Sequence, residues 1–246
     1  MSEKKLNHEI SPSGDSITIT QNVGNLKGDV VIPDSIEGKP VTAIGESAFR
    51  ECTRLTSITI PSSVTSIGSY AFGGCSGLTS ITIPDKVTNI DGDAFAYCEG
   101  LTSITIPNGV TQIEASAFEG CSGLMSITIP EGVTFIGKGA FKGCSGLTSI
   151  AIPNGVTHIG ANAFQGCSGL TSITIPNSII HINNATFFGC SELIQVTIPN
   201  GVSWIGSRAF GECEQLESVT ITNRANRIHH EAFPATTTIL RDGLQL

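Results

Sequence analysis

A single 23-residue phrase repeats along the chain and limits its fold more than any other feature. The clearest copy is Leu101–Gly123, which reads LTSITIPNGVTQIEASAFEGCSG. Phenylalanine recurs at the same spacing from Phe49 to Phe233, and a cysteine follows three residues after each of the first eight, which accounts for all 8 cysteines. A fixed period of this length predicts a solenoid, in which stacked coils share one continuous core.

Within each repeat, the apolar pattern predicts two short extended segments. Ile104–Ile106 alternates with a period of two, as a half-buried strand does, and Pro107 ends it because proline has no backbone donor. Val110–Ile113 is the second extended segment, and Ala115–Cys121 is compact enough for a single helical turn. Parallel strands stack about 4.8 Å apart, so about nine coils predict a rod roughly 40 Å long.

The repeats lose their regularity at both ends, which sets the expected domain boundaries. Asp34–Pro40 carries an insertion relative to the full repeats, and Ile239 takes the next leucine position at the other end. Terminal repeats must shield the open ends of the core. The expected parts are a flexible N-terminal tail (1–16), an N-terminal cap (17–40), the leucine-rich repeat solenoid (41–238) and a C-terminal cap (239–246).

Composition argues against several classes of partner. Charged residues make up 14% of the chain, its net charge is −8, and it has no lysine or arginine cluster, so we expect no nucleic-acid partner. No apolar run is long enough for a transmembrane helix, so we expect no membrane insertion. The first residues, MSEKKLNHEI, lack the apolar segment of a signal peptide.

The repeat also carries a family signature. Leu101, Ile104, Ile106, Val110 and Ile113 stand in an L-x-x-I-x-I-P-x-x-V-x-x-I frame followed by AFxxC. Over roughly residues 30–240 the chain resembles the bacterial leucine-rich repeat class of the BspA-like and Treponema pallidum type. The resemblance implies a right-handed solenoid with a parallel β-sheet on the concave face and short strands or helical turns on the other side. It also implies adhesion or recognition at the cell surface or after secretion, while the compartment itself stays unknown.

The cysteine column favours packing over chemistry. The chain has no CxxC pair and no mixed cysteine and histidine cluster with zinc spacing. A small buried side chain with a weak S–H donor explains the column better than a disulfide or a metal. We therefore expect eight reduced cysteines, no cofactor and no metal site.

Alternation predicts which side chains face outward from the first strand. This concave face is nearly uniform, and threonine ladders are favourable strand pairs in their own right. A regular array of hydroxyl groups is also suited to polysaccharide or ice, so a structural or surface-ordering protein is the alternative function. The expected concave-face residues are Ser57, Thr59, Ser80, Thr82, Ser103, Thr105, Ser126, Thr128, Ser172, Thr174, Gln195 and Thr197.

A second outward position varies from coil to coil. It lies directly before the isoleucine of the second strand, and neighbouring coils there carry aromatic and imidazole side chains. Adjacent exposed aromatics predict a contact surface for a protein partner or for a weak homodimer. Two histidines without a nearby carboxylate make a weak metal site. The candidate partner surface is Phe135, His158, His181, Trp204 and Arg227.

No motif indicates catalysis. The chain lacks a P-loop, a G-x-G-x-x-G fingerprint and an H-E-x-x-H sequence. Each serine of the first-strand column belongs to the repeat, so none is marked as a nucleophile. The sequence therefore predicts a non-enzymatic scaffold for protein–protein or cell-surface interaction.

Overall fold

The computed structural model describes residues 6–22, 26–222, 227–241 and 244–245, and it is a solenoid of about nine turns. Each full turn contributes two short strands, joined by turns, and the described residues contain no helix. The sheets between neighbouring coils are parallel, as the repeat period predicts. The predicted fold class is confirmed.

Two columns of strands run along the solenoid. The first-strand column consists of Lys27–Val31, Arg54–Thr59, Ser80–Thr82, Ser103–Thr105, Ser126–Thr128, Ser149–Ile150, Ser172–Ile173, Gln195–Ile198, Ser218–Ile221 and Thr238–Arg241. The second-strand column consists of Ile17–Ile19, Lys39–Ile44, Ser66–Ile67, Asn89–Ile90, Gln112–Ile113, Phe135–Ile136, His158–Ile159, His181–Ile182, Trp204–Ile205 and Arg227–Ile228. The remaining strands are His8–Ile10, Ser35–Ile36 and Leu244–Gln245.

Strand register follows the repeat. In the first-strand column Ser103 pairs with Ser126, and in the second Phe135 pairs with His158, so each residue lies opposite its equivalent in the next coil. Each ladder between two paired strands contains few hydrogen bonds, because the strands of a coil are only a few residues long and turns separate them. Each outward position of the repeat thereby becomes a straight column of side chains.

The core is a stack of identical side chains. The rings of Phe118 and Phe141 lie 5.6 Å apart between centroids and are parallel within 4°, and the same stacking continues from Phe49 to Phe233. Phe141 is fully buried, and the repeat leucines from Leu55 to Leu216 are buried as well. Burying one such ring contributes roughly 1.5–3 kcal/mol relative to an exposed ring.

The segment that follows the second strand of each coil differs from the prediction. We expected a helical turn in Ala115–Cys121, but Ser116 has a φ of 53° and Gly120 a φ of 73°, which a right-handed helix cannot accommodate. The backbone N–H of Phe118 donates to the carbonyl of Ala140 in the next coil at 2.9 Å. The segment is thus a series of turns whose alternate amides point along the solenoid. The prediction of a helical turn is wrong because hydrogen bonds between coils replace those within a helix.

The N-terminal end is also more ordered than predicted. His8–Ile10 pairs antiparallel with Ile17–Ile19, so the prediction of a flexible tail up to residue 16 is wrong for these residues. The buried Asn22 side chain closes this end: its Oδ1 accepts from the N–H of Asn7 at 2.8 Å, and its Nδ2 donates to the carbonyl of Thr20 at 2.7 Å. An unpaired strand edge at the end of the core is therefore covered.

The insertion in the N-terminal cap is a hairpin. Ser35–Ile36 pairs antiparallel with the start of Lys39–Ile44 across two residues, Glu37 and Gly38. Both of these residues have a positive φ, 53° and 75°, which is typical of a type I′ turn. The neighbouring strands stay parallel, but the register shifts by one residue where Ile17 pairs with Val41 and Thr18 pairs with Ala43.

At the C-terminal end the register shifts. We expected Ile239 at the leucine position of the last coil, but it pairs with Val219, the equivalent of Ile104. The expectation is wrong because this coil is shorter than the others. The ladder continues to Arg241, beyond the predicted start of the cap, and Leu244–Gln245 folds back against it. The predicted domain boundaries otherwise stay predictions, and residues 1–5, 23–25, 223–226, 242–243 and 246 lie outside the described residues.

Candidate functional site

The five residues Phe135, His158, His181, Trp204 and Arg227 form what we call the variable column. They occupy equivalent positions in successive coils and lie in two ladders: Phe135 pairs with His158 in one, and Trp204 pairs with both His181 and Arg227 in the other. The histidines and the arginine are exposed, and the phenylalanine and the tryptophan are partly buried. The predicted alignment of these side chains is present, whereas their role in binding stays a prediction.

Ring contacts order the variable column into two pairs. The Phe135 ring stacks on His158 with centroids 4.9 Å apart and an interplanar angle of 5°. His181 meets Trp204 edge to face, with centroids 6.0 Å apart. Beside this pair, the Ile180 side chain is 55% exposed, at a position where most coils carry threonine. Aromatic rings and an aliphatic side chain are thereby held on short, rigid strands at the surface.

The first-strand face has the predicted orientation. The serine and threonine side chains of this face alternate with buried isoleucines, so that Ser103 and Thr105 are exposed on either side of Ile104. The same pattern holds at Ser126 and Thr128. Sequence alternation thus identified the outward residues of the first strands correctly, and their function stays a prediction.

Three side chains make this face less uniform than predicted. Asp29 stands in the first-strand column of the N-terminal cap, where it accepts hydrogen bonds from the hydroxyls of Ser57 at 2.6 Å and Thr56 at 3.1 Å. At the position next to the serine column, Met125 is 58% exposed and Ile194 is 48% exposed. Most coils carry threonine at that position. The two apolar residues could therefore have been recognised from the sequence as departures from the repeat.

A polar cluster on the turn side went unnoticed in the sequence. The carboxylate of Glu119 accepts hydrogen bonds from Lys142 at 2.9 Å, from the Ser116 hydroxyl at 2.7 Å and from the Tyr97 hydroxyl at 3.3 Å. Burial alone would raise the pKa of Glu119, but these donors outweigh it and lower that pKa. Lys142 and Glu119 occupy equivalent positions in successive coils, so the repeat alignment contained the signal.

The cysteine column is buried and chemically protected. The thiol of Cys121 donates to the carbonyl of Phe95 at 3.1 Å, and Cys144 does the same to Phe118. Burial raises the pKa of Cys121 to about 12, so its reactive thiolate form is strongly disfavoured. All eight cysteines are free and buried, which agrees with a packing role.

Comparisons with known proteins agree with this architecture. Residues 21–145 and 115–240 match the model of the BspA type leucine rich repeat region, with 6 copies. A crystal structure of a leucine-rich repeat protein from Bacteroides ovatus ATCC 8483 is similar over 99% of this chain and 69% of that chain, with 29% identity and a TM-score of 0.85. The T. pallidum leucine-rich repeat protein (TpLRR) is similar over 86% of this chain and 87% of that chain, with 32% identity and a TM-score of 0.56.

Two further findings are negative. A comparison with curated proteins finds no match. Within the part of the chain that the structure describes, no helix combines the length and the apolar character needed to cross a bilayer.

Proposed function

Because the chain belongs to the BspA type leucine-rich repeat family, we propose that it is a non-enzymatic scaffold that binds a protein partner, as an adhesion or recognition module at a cell surface. The observation that carries this proposal is the variable column. It places aromatic, imidazole and guanidinium groups in one row on an otherwise serine- and threonine-rich surface.

The chemistry of the variable column suits protein recognition. Tryptophan, tyrosine and arginine are the side chains that most often dominate binding energy at interfaces. Trp204 and Arg227 are neighbours in register, and the His181 ring supports Trp204 from the other side. Side chains already held by such contacts lose little conformational freedom when a partner binds.

The experiment compares two double variants, each of which changes one of the two candidate surfaces. A Phe135→Ala/Trp204→Ala double variant removes the aromatic groups, and a Ser103→Arg/Thr105→Arg variant obstructs the first-strand face instead. Each purified protein is immobilised, exposed to bacterial and host surface proteins, and compared with wild type for the proteins it retains. Circular dichroism verifies that both variants remain folded.

We expect to find a protein that is retained by wild type and by the arginine variant but is lost by the double alanine variant. Retention by the double alanine variant together with loss in the arginine variant would instead assign binding to the first-strand face. Light scattering after size-exclusion chromatography identifies the remaining case. A wild-type dimer that becomes a monomer in the alanine variant would make the partner a second copy of this chain.

A second candidate function is contact with polysaccharide through the first-strand face. An open groove of about 500 Å³ lies beside Thr59 and Thr82 and is also lined by Ser62, Asp85 and Lys86. Hydroxyl, carboxylate and ammonium groups there could exchange hydrogen bonds with sugar hydroxyls. Electrophoresis through gels containing dextran or xylan tests this, because retardation of wild type that Thr82→Arg abolishes would support it. Equal mobility of both proteins in each gel would reject it.

A further inference from the structure

The last coil contains a cluster of potential metal ligands. His229, His230 and Glu231 follow one another directly after the last second strand, and one ligand atom from each lies within 4.8 Å of the others. Within the described residues, no other group of three histidine, cysteine or acidic side chains comes together in this way. No other coil has histidine at either position, so this turn departs from the repeat.

Hydrogen bonds from the preceding coil hold the cluster in place. The backbone N–H of His229 donates to the carbonyl of Ile205 at 2.9 Å, and the carbonyl of Glu231 accepts from the N–H of Arg208 at 3.1 Å. The Ser207 hydroxyl donates to Oε2 of Glu231 at 3.2 Å, which orients the carboxylate. Support of this kind from outside the ligand set is what fixes the geometry of metal sites.

The distances fit a tetrahedral ion after a small rotation of side chains. Nδ1 of His229 and Oε2 of Glu231 are 4.0 Å apart, whereas two ligands of a tetrahedral zinc ion are separated by about 3.4 Å. The N–H of Glu231 donates to the same Nδ1 at 3.2 Å and occupies its lone pair, so zinc binding at this nitrogen would replace that hydrogen bond. The His230 ring stacks on His229 with centroids 4.4 Å apart and therefore lies on the same side of the turn.

The donor set favours zinc over calcium and magnesium. Two imidazoles and a carboxylate suit zinc, which often has three protein ligands of this kind and a water in its fourth position. Calcium and magnesium prefer sites made of oxygen ligands. His230 and Glu231 are exposed, so the ion would reach them without any opening of the core.

We propose that His229, His230 and Glu231 bind one zinc ion, which leaves one position for water. All three residues belong to the last coil, and Ser207 and Ile205 connect them to the coil before it. Zinc binding to the folded chain alone stabilises it by mass action. The expected effect is a tightening of the C-terminal end of the solenoid.

Isothermal titration calorimetry with ZnCl₂ on the full chain, followed by metal analysis after dialysis, tests the proposal. We expect one zinc ion per chain, and His230→Ala and Glu231→Gln should each weaken zinc affinity at least about tenfold. His181→Ala and His158→Ala are the matched controls, since they remove histidines of the variable column and should leave the affinity unchanged. Hydrogen exchange should slow in residues 227–233 when zinc is added.

Three outcomes would overturn the assignment. They are no zinc retained by wild type, unchanged affinity in both His230→Ala and Glu231→Gln, or loss of binding in the two control variants. Because unfolded chains expose cysteines that also bind zinc, thiol reactivity is measured on every sample. Unreactive thiols verify that the titration reports on folded protein, and neither His230 nor Glu231 is part of the core.

Discussion

Raising the pH from 7 to 10 should destabilise this solenoid strongly, because every coil from Cys75 to Cys213 buries a thiol whose ionised form the core does not accommodate. Burial raises the pKa of Cys75, Cys121 and Cys213 to about 12 and raises that of the four cysteines between them well above 9.0. Each thiol also donates to a phenylalanine carbonyl, as Cys98 does to Phe72, and a thiolate would lose that bond.

The sign and size of the effect follow from these pKa values. The folded chain binds the thiol protons more tightly than the unfolded chain, so the stabilisation is fully present below pH 9. It is lost as the pH rises from 9 towards 12. One pKa unit corresponds to about 1.4 kcal/mol, so at pH 10 each buried thiol has lost about that much. For the seven thiols from Cys75 to Cys213, the loss in the free energy of unfolding is about 10 kcal/mol. This is comparable to the entire stability of an ordinary domain.

Urea denaturation at pH 7 and pH 10, followed by far-ultraviolet circular dichroism, measures this loss. Lysine and tyrosine also lose protons in this range, so the control is a Cys121→Ala/Cys144→Ala/Cys167→Ala variant. With three thiols removed, the pH-dependent loss should be smaller by about 4 kcal/mol, whatever the other groups contribute.

The thiolate absorbance decides whether the reasoning is right. It should appear together with unfolding, since the folded state holds the thiols protonated. A gradual rise centred near pH 9 while circular dichroism stays native would show that the thiols ionise within the folded chain. Equal pH-dependent losses in wild type and the triple variant would refute the argument as well.

Two further predictions concern packing and backbone strain. Phe141→Ala should reduce the free energy of unfolding by about 3–5 kcal/mol in urea denaturation, with Phe141→Leu clearly milder, because Phe141 stacks between two other rings; a loss below about 1 kcal/mol would mean that the ring stack contributes little. Ala185→Gly should stabilise the chain by roughly 0.5–1 kcal/mol, because Ala185 has a φ of 52°. Ala161→Gly, at a position without this strain, should destabilise it, and a matching sign in the two variants would contradict the explanation.

Much of the surface could be predicted because it depends on local order. Alternation along Ile104–Ile106 determines which side chains of the first strand face outward, and the period brings equivalent residues into register. The residues of the variable column, from Phe135 to Arg227, could therefore be identified from the sequence alone. What the sequence could not provide was the contact within that column, such as the Phe135 ring stacked on His158, because rotamers depend on neighbouring coils.

By itself the sequence determined the solenoid, its core positions and its outward columns, since each of these repeats in every coil and needs only the spacing of apolar residues. Tertiary structure alone decided the left-handed turns at Ser116 and Gly120, the pairing of His8–Ile10 and the shifted register of Ile239. The physical reason is the same in each case. These features follow from hydrogen bonds between coils and between strands distant in sequence, and such bonds depend on how the coils stack rather than on any residue's own preference.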